Sequence, residues 1–236
     1  MLPQLPLYLP IAFILSTALA LGIVILLINT SSKPVDRKTA GQIIAIITAW
    51  LVLQAALSLL SVYSDAPETI PPRIILLGVM PALISILFLF NTRKGKLFID
   101  RMSMQMLTYV HLIRIPVELV LYALFLNGAV PELMTFEGRN LDILAGITAP
   151  IVGFFGIAQS KMGKTSLLLW NFVCLALLLN IVVTAILSAP SPFQQFAFEQ
   201  PNIAILYFPF SWLPAFIVPL VLFSHLAAIR KLVTHP

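Results

Sequence analysis

Between residues 103 and 127 an otherwise apolar run carries Thr108, His111, Arg114, Glu118 and Tyr122, spaced 3, 3, 4 and 4 residues apart. That spacing sets all five on one face of a helix. A guanidinium, a carboxylate and an imidazole on one stripe suit two kinds of chemistry. The planar fork of Arg114 holds a carboxylate or phosphate, and Glu118 or His111 exchanges protons. The plainer alternative is structural: Arg114 neutralises Glu118 one turn on, while His111 bonds a neighbouring helix. Ionisable groups are costly in hydrocarbon, so the stripe must face a partner or a watery cavity. Pro116, within the stripe, frees a backbone carbonyl that protein or water has to satisfy.

Partners follow from depth, taking 1.5 Å of rise per residue from the ends of the apolar runs. His111, His225 and Asn171 fall about 8–12 Å from the inner edge, which makes one inner cluster. Glu118, Gln54 and Asn180 fall near ~22 Å, a second and outer cluster with Arg114 between the two. Arg139 and Asp142 begin an apolar run at the outer edge and are expected to form a lid. Pro209, Pro214 and Pro219 precede Ser224 and His225, so the last run should bend or open locally beside a cavity. Two histidines on different helices also admit a haem or copper reading. No Met or Cys ligand pattern supports it, and no cofactor is expected. His235 reads as a solvated tail.

Several catalytic patterns are excluded. Gly163, Lys164 and Thr165 resemble the end of a phosphate-binding loop, but Ala158 stands where its first glycine belongs. There is no serine elbow, no pair of zinc-binding histidines one turn apart, and no lysine in the last run for a retinal Schiff base. The single cysteine, Cys174, precludes an intrachain disulfide.

The elements that must position these residues are membrane helices. Of 236 residues 60% are apolar and 10% charged, which excludes a water-soluble fold. Apolar runs of about 20 residues fall near 7–29, 39–62, 73–91, 103–127, 140–160, 165–188 and 203–229, which predicts a single all-α bundle of seven spans over residues 1–236. Met1 to Pro10 has no basic residue, so the first run is expected to remain as an anchor. Eleven of the fourteen Lys and Arg lie in alternate loops: Lys33, Arg37 and Lys38; Arg93, Lys94, Lys96 and Arg101; Lys161 and Lys164; Arg230 and Lys231. Basic loops stay cytoplasmic, so the amino terminus is predicted outside and the carboxyl terminus inside. Such clusters suit lipid headgroups, and nucleic acid is not an expected partner. The opposite loops are longer and acidic, and their Phe136, Phe193, Phe196 and Phe198 suit the interface. Pro10 and Pro81 are echoed by Pro150 and Pro219 at offsets of 140 and 138, a weak hint of an internal repeat.

The stretches HLIRIPVE (His111 to Glu118), TFEGRNLDILAGITAP (Thr135 to Pro150) and Ala189 to Arg230, with APSPFQQFAFEQPN and FPFSWLPAFIVPLVLFSHL, resemble uncharacterised multi-pass membrane proteins of bacteria. The resemblance spans about half the chain, from the fourth run onward. It implies a bacterial inner membrane location and brings no activity or ligand. A seven-span sugar transporter family is similar only in size and topology, since its Pro-Gln signature is missing here. The leading expectation is an internal polar cavity that binds or moves a small polar solute, anionic or proton-coupled. An intramembrane enzyme or haem protein using His111, His225 and Glu118 is the runner-up, and a receptor-like or scaffolding subunit the third.

Overall fold

Backbone polar groups in hydrocarbon must bond within their own segment, so long apolar runs fold as helices. The computed structural model describes residues 5–31, 36–65 and 67–234; Lys33 and His235 lie outside them. The regular structure among the described residues is helical throughout. The helices are α1 (Tyr8–Asn29), α2 (Arg37–Leu59), α3 (Ile75–Asn91), α4 (Arg93–Arg101), α5 (Met104–Leu126), α6 (Ile143–Ala158), α7 (Lys164–Ser188) and α8 (Leu213–Thr234). Five of them, α1, α2, α5, α7 and α8, are long and apolar enough to cross a membrane, and α3 with α4 makes a sixth if that bent pair is one span. The shorter α6 is apolar as well.

The run expected over 203–229 divides in two. Ala204–Leu206 forms a 3-10 turn, and the long helix begins only at Leu213. Pro209 lies in between and Pro214 is the second residue of α8, and neither has an N–H to extend a helix from above. Between α3 and α4 the chain turns by 89°. Thr92 is extended there, and its hydroxyl accepts from the Gly95 amide at 3.1 Å, which starts α4. A Cβ on Gly95 would lie 2.2 Å from the Leu89 carbonyl oxygen, so the bend needs glycine.

The centre of the bundle is α5 and α8, which pack on each other; α5 also meets α1 and α6, and α8 also meets α3, α4 and α7. Within α5 the residues Val110–Ile113 tighten into a 3-10 turn, in which the Arg114 amide bonds the His111 carbonyl. This is the turn before Pro116, whose missing N–H breaks the regular ladder.

Helices α3 and α8 share a second device. Each opens with a π-helical turn, Ile75–Val79 and Leu213–Ile217, followed by a proline, Pro81 and Pro219. Proline leaves bare the carbonyl four residues back, here Leu77 and Ala215. Both are taken by α2: Gln54 Nε2 donates to Leu77 and Trp50 Nε1 to Ala215, each at 3.0 Å. In return Trp212 Nε1 donates to the Leu51 carbonyl at 2.9 Å. α2 buries only Leu51, Gln54 and Ser58, so these bonds hold an otherwise peripheral helix.

Candidate functional site

The stripe on α5 does point inward: His111 is 0%, Arg114 3% and Glu118 2% exposed. Arg114 lies where α5 and α6 approach closely, because α6 offers Gly146 to it. A Cβ at that position would fall 2.8 Å from Ile115 and 3.3 Å from the Arg114 Cβ. One turn earlier on α6, Asp142 reaches the guanidinium, with Nη1 and Oδ1 3.0 Å apart. The ionic partner of Arg114 is thus Asp142 on another helix, and the expected pairing with Glu118 is not made. Glu118 instead accepts from Asn140 Nδ2 at 2.7 and 2.6 Å. Asn140 Oδ1 in turn accepts from the Asp142 backbone amide at 3.0 Å, so one asparagine ties the Glu118 carboxylate to the start of α6.

Toward α7 and α8, Arg114 Nη2 lies 3.1 Å from His225 Nε2. A guanidinium only donates, so Nε2 accepts and the proton of a neutral His225 is on Nδ1. That N–H faces Asn171 Oδ1 at 3.0 Å, and Asn171 Nδ2 is held by the Leu167 carbonyl. His111 stacks on His225 with ring centroids 3.9 Å apart and planes 21° apart. Trp170 meets the His111 ring edge-on at 5.5 Å and is oriented by Thr148, which accepts its N–H at 3.0 Å. The inner group of His111, His225 and Asn171 is therefore one cluster, continuous with Arg114 and Asp142.

The expected outer group does not assemble. Gln54 is buried and bonds Leu77 and Tyr63, while Glu118 bonds Asn140. Burial pushes the Tyr63 phenol up to about 12, so it remains a donor to Gln54. Nearby Ser58 donates to Ser211, which ties α2 to the approach of α8. Asn180 is exposed and donates to the Arg139 carbonyl at 3.0 Å, and the Arg139 side chain also faces outward. Of the expected lid, only Asp142 belongs to the cluster. Tyr122 turns to the periphery, where its hydroxyl bonds Glu137. For Gln54 and Asn180 the physical reason is that depth along a helix axis says nothing of the angle around it; Tyr122, placed by spacing, and Arg139, placed at the start of a run, both reach outward to the loop before α6 and to solvent. Asn140 escaped attention because its role depends on the turn before α6, and Trp170 because an indole at helical spacing reads as packing.

Several polar atoms of the cluster are buried without a hydrogen-bond partner among the described residues: both ring nitrogens of His111, Arg114 Nε and Asp142 Oδ1. The Arg114–Asp142 contact is therefore close but not aligned as a hydrogen bond. A cavity of about 310 Å³ between α3, α7 and α8 has Asp142 in its wall, with Pro219 and Leu213 on the α8 side and Arg73 and Tyr63 elsewhere on its lining. Its surface is otherwise largely apolar, unlike the polar chamber expected from the sequence.

The donors do not fit a metal or haem held by both histidines. Each ring nitrogen of His225 is already engaged, and the two rings lie face to face and not edge to edge around a shared point. Among the described residues no group of three or more His, Cys, Asp or Glu is placed to hold a metal ion.

No curated protein and no solved structure matches the chain. A family model does match, over residues 71–233, a segment that runs from before α3 to the end of α8 and contains every member of the cluster. The chain belongs to the family described as Domain of unknown function (DUF8737).

Proposed function

We propose that the protein is a seven-span membrane protein of the bacterial inner membrane, amino terminus outside, whose charged core binds or moves a small polar solute with a proton. Helix composition supports the spans: five long apolar helices, the bent α3 and α4 pair, and α6 as a short seventh. The observation that carries the solute reading is the set of unpartnered buried atoms on His111, Arg114 and Asp142. Buried polar atoms without partners cost about 1–3 kcal/mol each, and a polar guest relieves that cost.

The charge balance favours coupling to protons. Asp142 and Glu118 both act on Arg114, so with all three ionised one negative charge is left over. An anion entering such a site brings unfavourable repulsion unless a proton enters with it. Asp142 offers the way in, since it borders both the guanidinium and the cavity.

Trp170, against both imidazoles, supplies the readout. Titrating purified protein with acetate, inorganic phosphate and sulfate on either side of neutral pH should give a saturable fluorescence change that Trp170→Phe removes. Arg114→Lys should unfold at the same temperature yet lose the response, because an ammonium cannot reproduce the fork. Silence toward every anion at every pH, or a full response in Arg114→Lys, would overturn the proposal.

A further inference from the structure

A second cavity, of about 420 Å³, lies away from the charged core, between α1, α2, α3, α4 and α8. Its lining is aliphatic and aromatic, with Ile28, Ile43, Trp50, Ile86 and Phe98 among its walls. Along α3 it runs from Pro81 to Leu89, eight residues or about 12 Å of rise, close to one leaflet's depth of about 15 Å.

Its mouth has a different character. α4 turns 89° away from α3 and so runs across the bundle end, in the attitude of a helix lying along a membrane surface. It buries Gly95 and Ile99, presents Arg93 and Lys94 outward and leaves Lys96 half-buried, while its Phe98 forms part of the cavity wall. Its own acid, Asp100, is engaged by Arg230 at 3.2 Å through both oxygens and by Lys231 at its carbonyl, which also moors α4 to α8. On a second wall of the cavity, α2 starts with exposed Arg37 and Lys38 and contributes Ile43 about two turns later. The preceding Asp36 is turned onto its own helix, where the Thr39 amide and hydroxyl hold its carboxyl below the usual range. An apolar slot one leaflet deep, flanked at one end by cations on two separate helices, has the charge pattern of a lipid turned inside out.

We infer that this groove is a specific site for an anionic phospholipid, with its phosphate at Lys94, Lys96 and Arg37 and an acyl chain between α1, α2 and α3. The headgroup is selected by charge and the chain by the slot's shape, while zwitterionic lipids share only the second contact. The lipid also fills the space between α2 and the bundle, to which α2 is joined by a few hydrogen bonds and by the packing of Leu51, Ile44 and Ile47. This site is independent of any solute at Arg114.

Trp50 lines the groove, so brominated lipids report occupancy by quenching it. In phosphatidylcholine vesicles, brominated phosphatidylglycerol should quench the component of fluorescence that Trp50→Phe removes several-fold more effectively, per mole, than brominated phosphatidylcholine. Lys94→Gln and Lys96→Gln should each lower that preference by about fivefold, and high salt should do the same. Phe98→Trp gives the same readout from the opposite wall and should show the same preference. Equal quenching by the two lipids would assign the groove to bulk lipid and overturn the inference. Failure of both lipids to quench, with the protein migrating as a dimer, would assign it to a second copy and overturn it equally.

Discussion

At the scale of single residues, the cluster is organised by which helix supplies each charge. Arg114 is answered from α6 by Asp142, while Glu118, on Arg114's own helix, is answered by Asn140. A double-mutant cycle should separate these roles. Arg114→Ala strands Asp142 and should cost about 3–5 kcal/mol, and adding Asp142→Ala should recover much of it. Adding Glu118→Ala instead should recover far less, because Glu118 is not the stranded partner of Arg114 and Asn140, still held by the Met134 carbonyl, loses its bonds to the carboxylate. Larger coupling of Arg114 to Glu118 than to Asp142, measured by thermal or denaturant unfolding in detergent, would contradict the geometry. Much of this site was legible in the sequence: the spacing of His111, Arg114 and Glu118 gave an inward face, and similar depth joined His111 to His225 and Asn171. The true partner of Arg114 was not, because pairing across helices depends on the close approach at Gly146, which no spacing along one helix reveals.

At the scale of elements, prolines that read as simple bends turn out to be half of an interhelical contact. The bare carbonyls of Leu77 and Ala215 are received by side chains one turn apart on α2, whose charged residues, Arg37 and Lys38, lie at its other end and announce no role there. Removing the indole donor by Trp50→Phe should cost about 1–3 kcal/mol, the penalty of an unsatisfied buried carbonyl. In a Pro219→Ala background the helix supplies its own N–H to Ala215, so the same change should cost far less. Equal losses in both backgrounds, read from unfolding temperature, would show that Trp50 acts by packing alone. The offset of 138 residues between Pro81 and Pro219, a weak hint of repetition in the sequence, thus marks two copies of one local device. It leaves the rest of α3 and α8 unlike: only α3 runs into a sharp bend.

At the scale of the whole molecule, the first six apolar runs located helices to within a few residues, because hydrocarbon leaves the backbone little choice. The seventh, from 203, starts well before its helix at Leu213, behind Pro209, and α4, which Thr92 caps beyond the end of the third run, was not among the runs. Orientation rests on the basic loops, and it is open to direct test in intact cells. Cysteines introduced at Ser64 and Ser191 should react with an impermeant thiol reagent, and one at Lys94 should not until the membrane is permeabilised. Labelling at 94 from outside would invert the topology and move the basic end of the lipid groove to the other leaflet.

The strap formed by α2 has a bearing on where this protein may be divided. Residues 71–233 carry the family's signature and the entire charged cluster, yet Trp50 and Gln54, which dress the two bare carbonyls inside that segment, lie upstream of it. Sequence kinship and structural self-sufficiency therefore have different borders here. The family segment holds the charged cluster, and α2, ahead of it, is the splint without which two of its helices would keep bare backbone carbonyls.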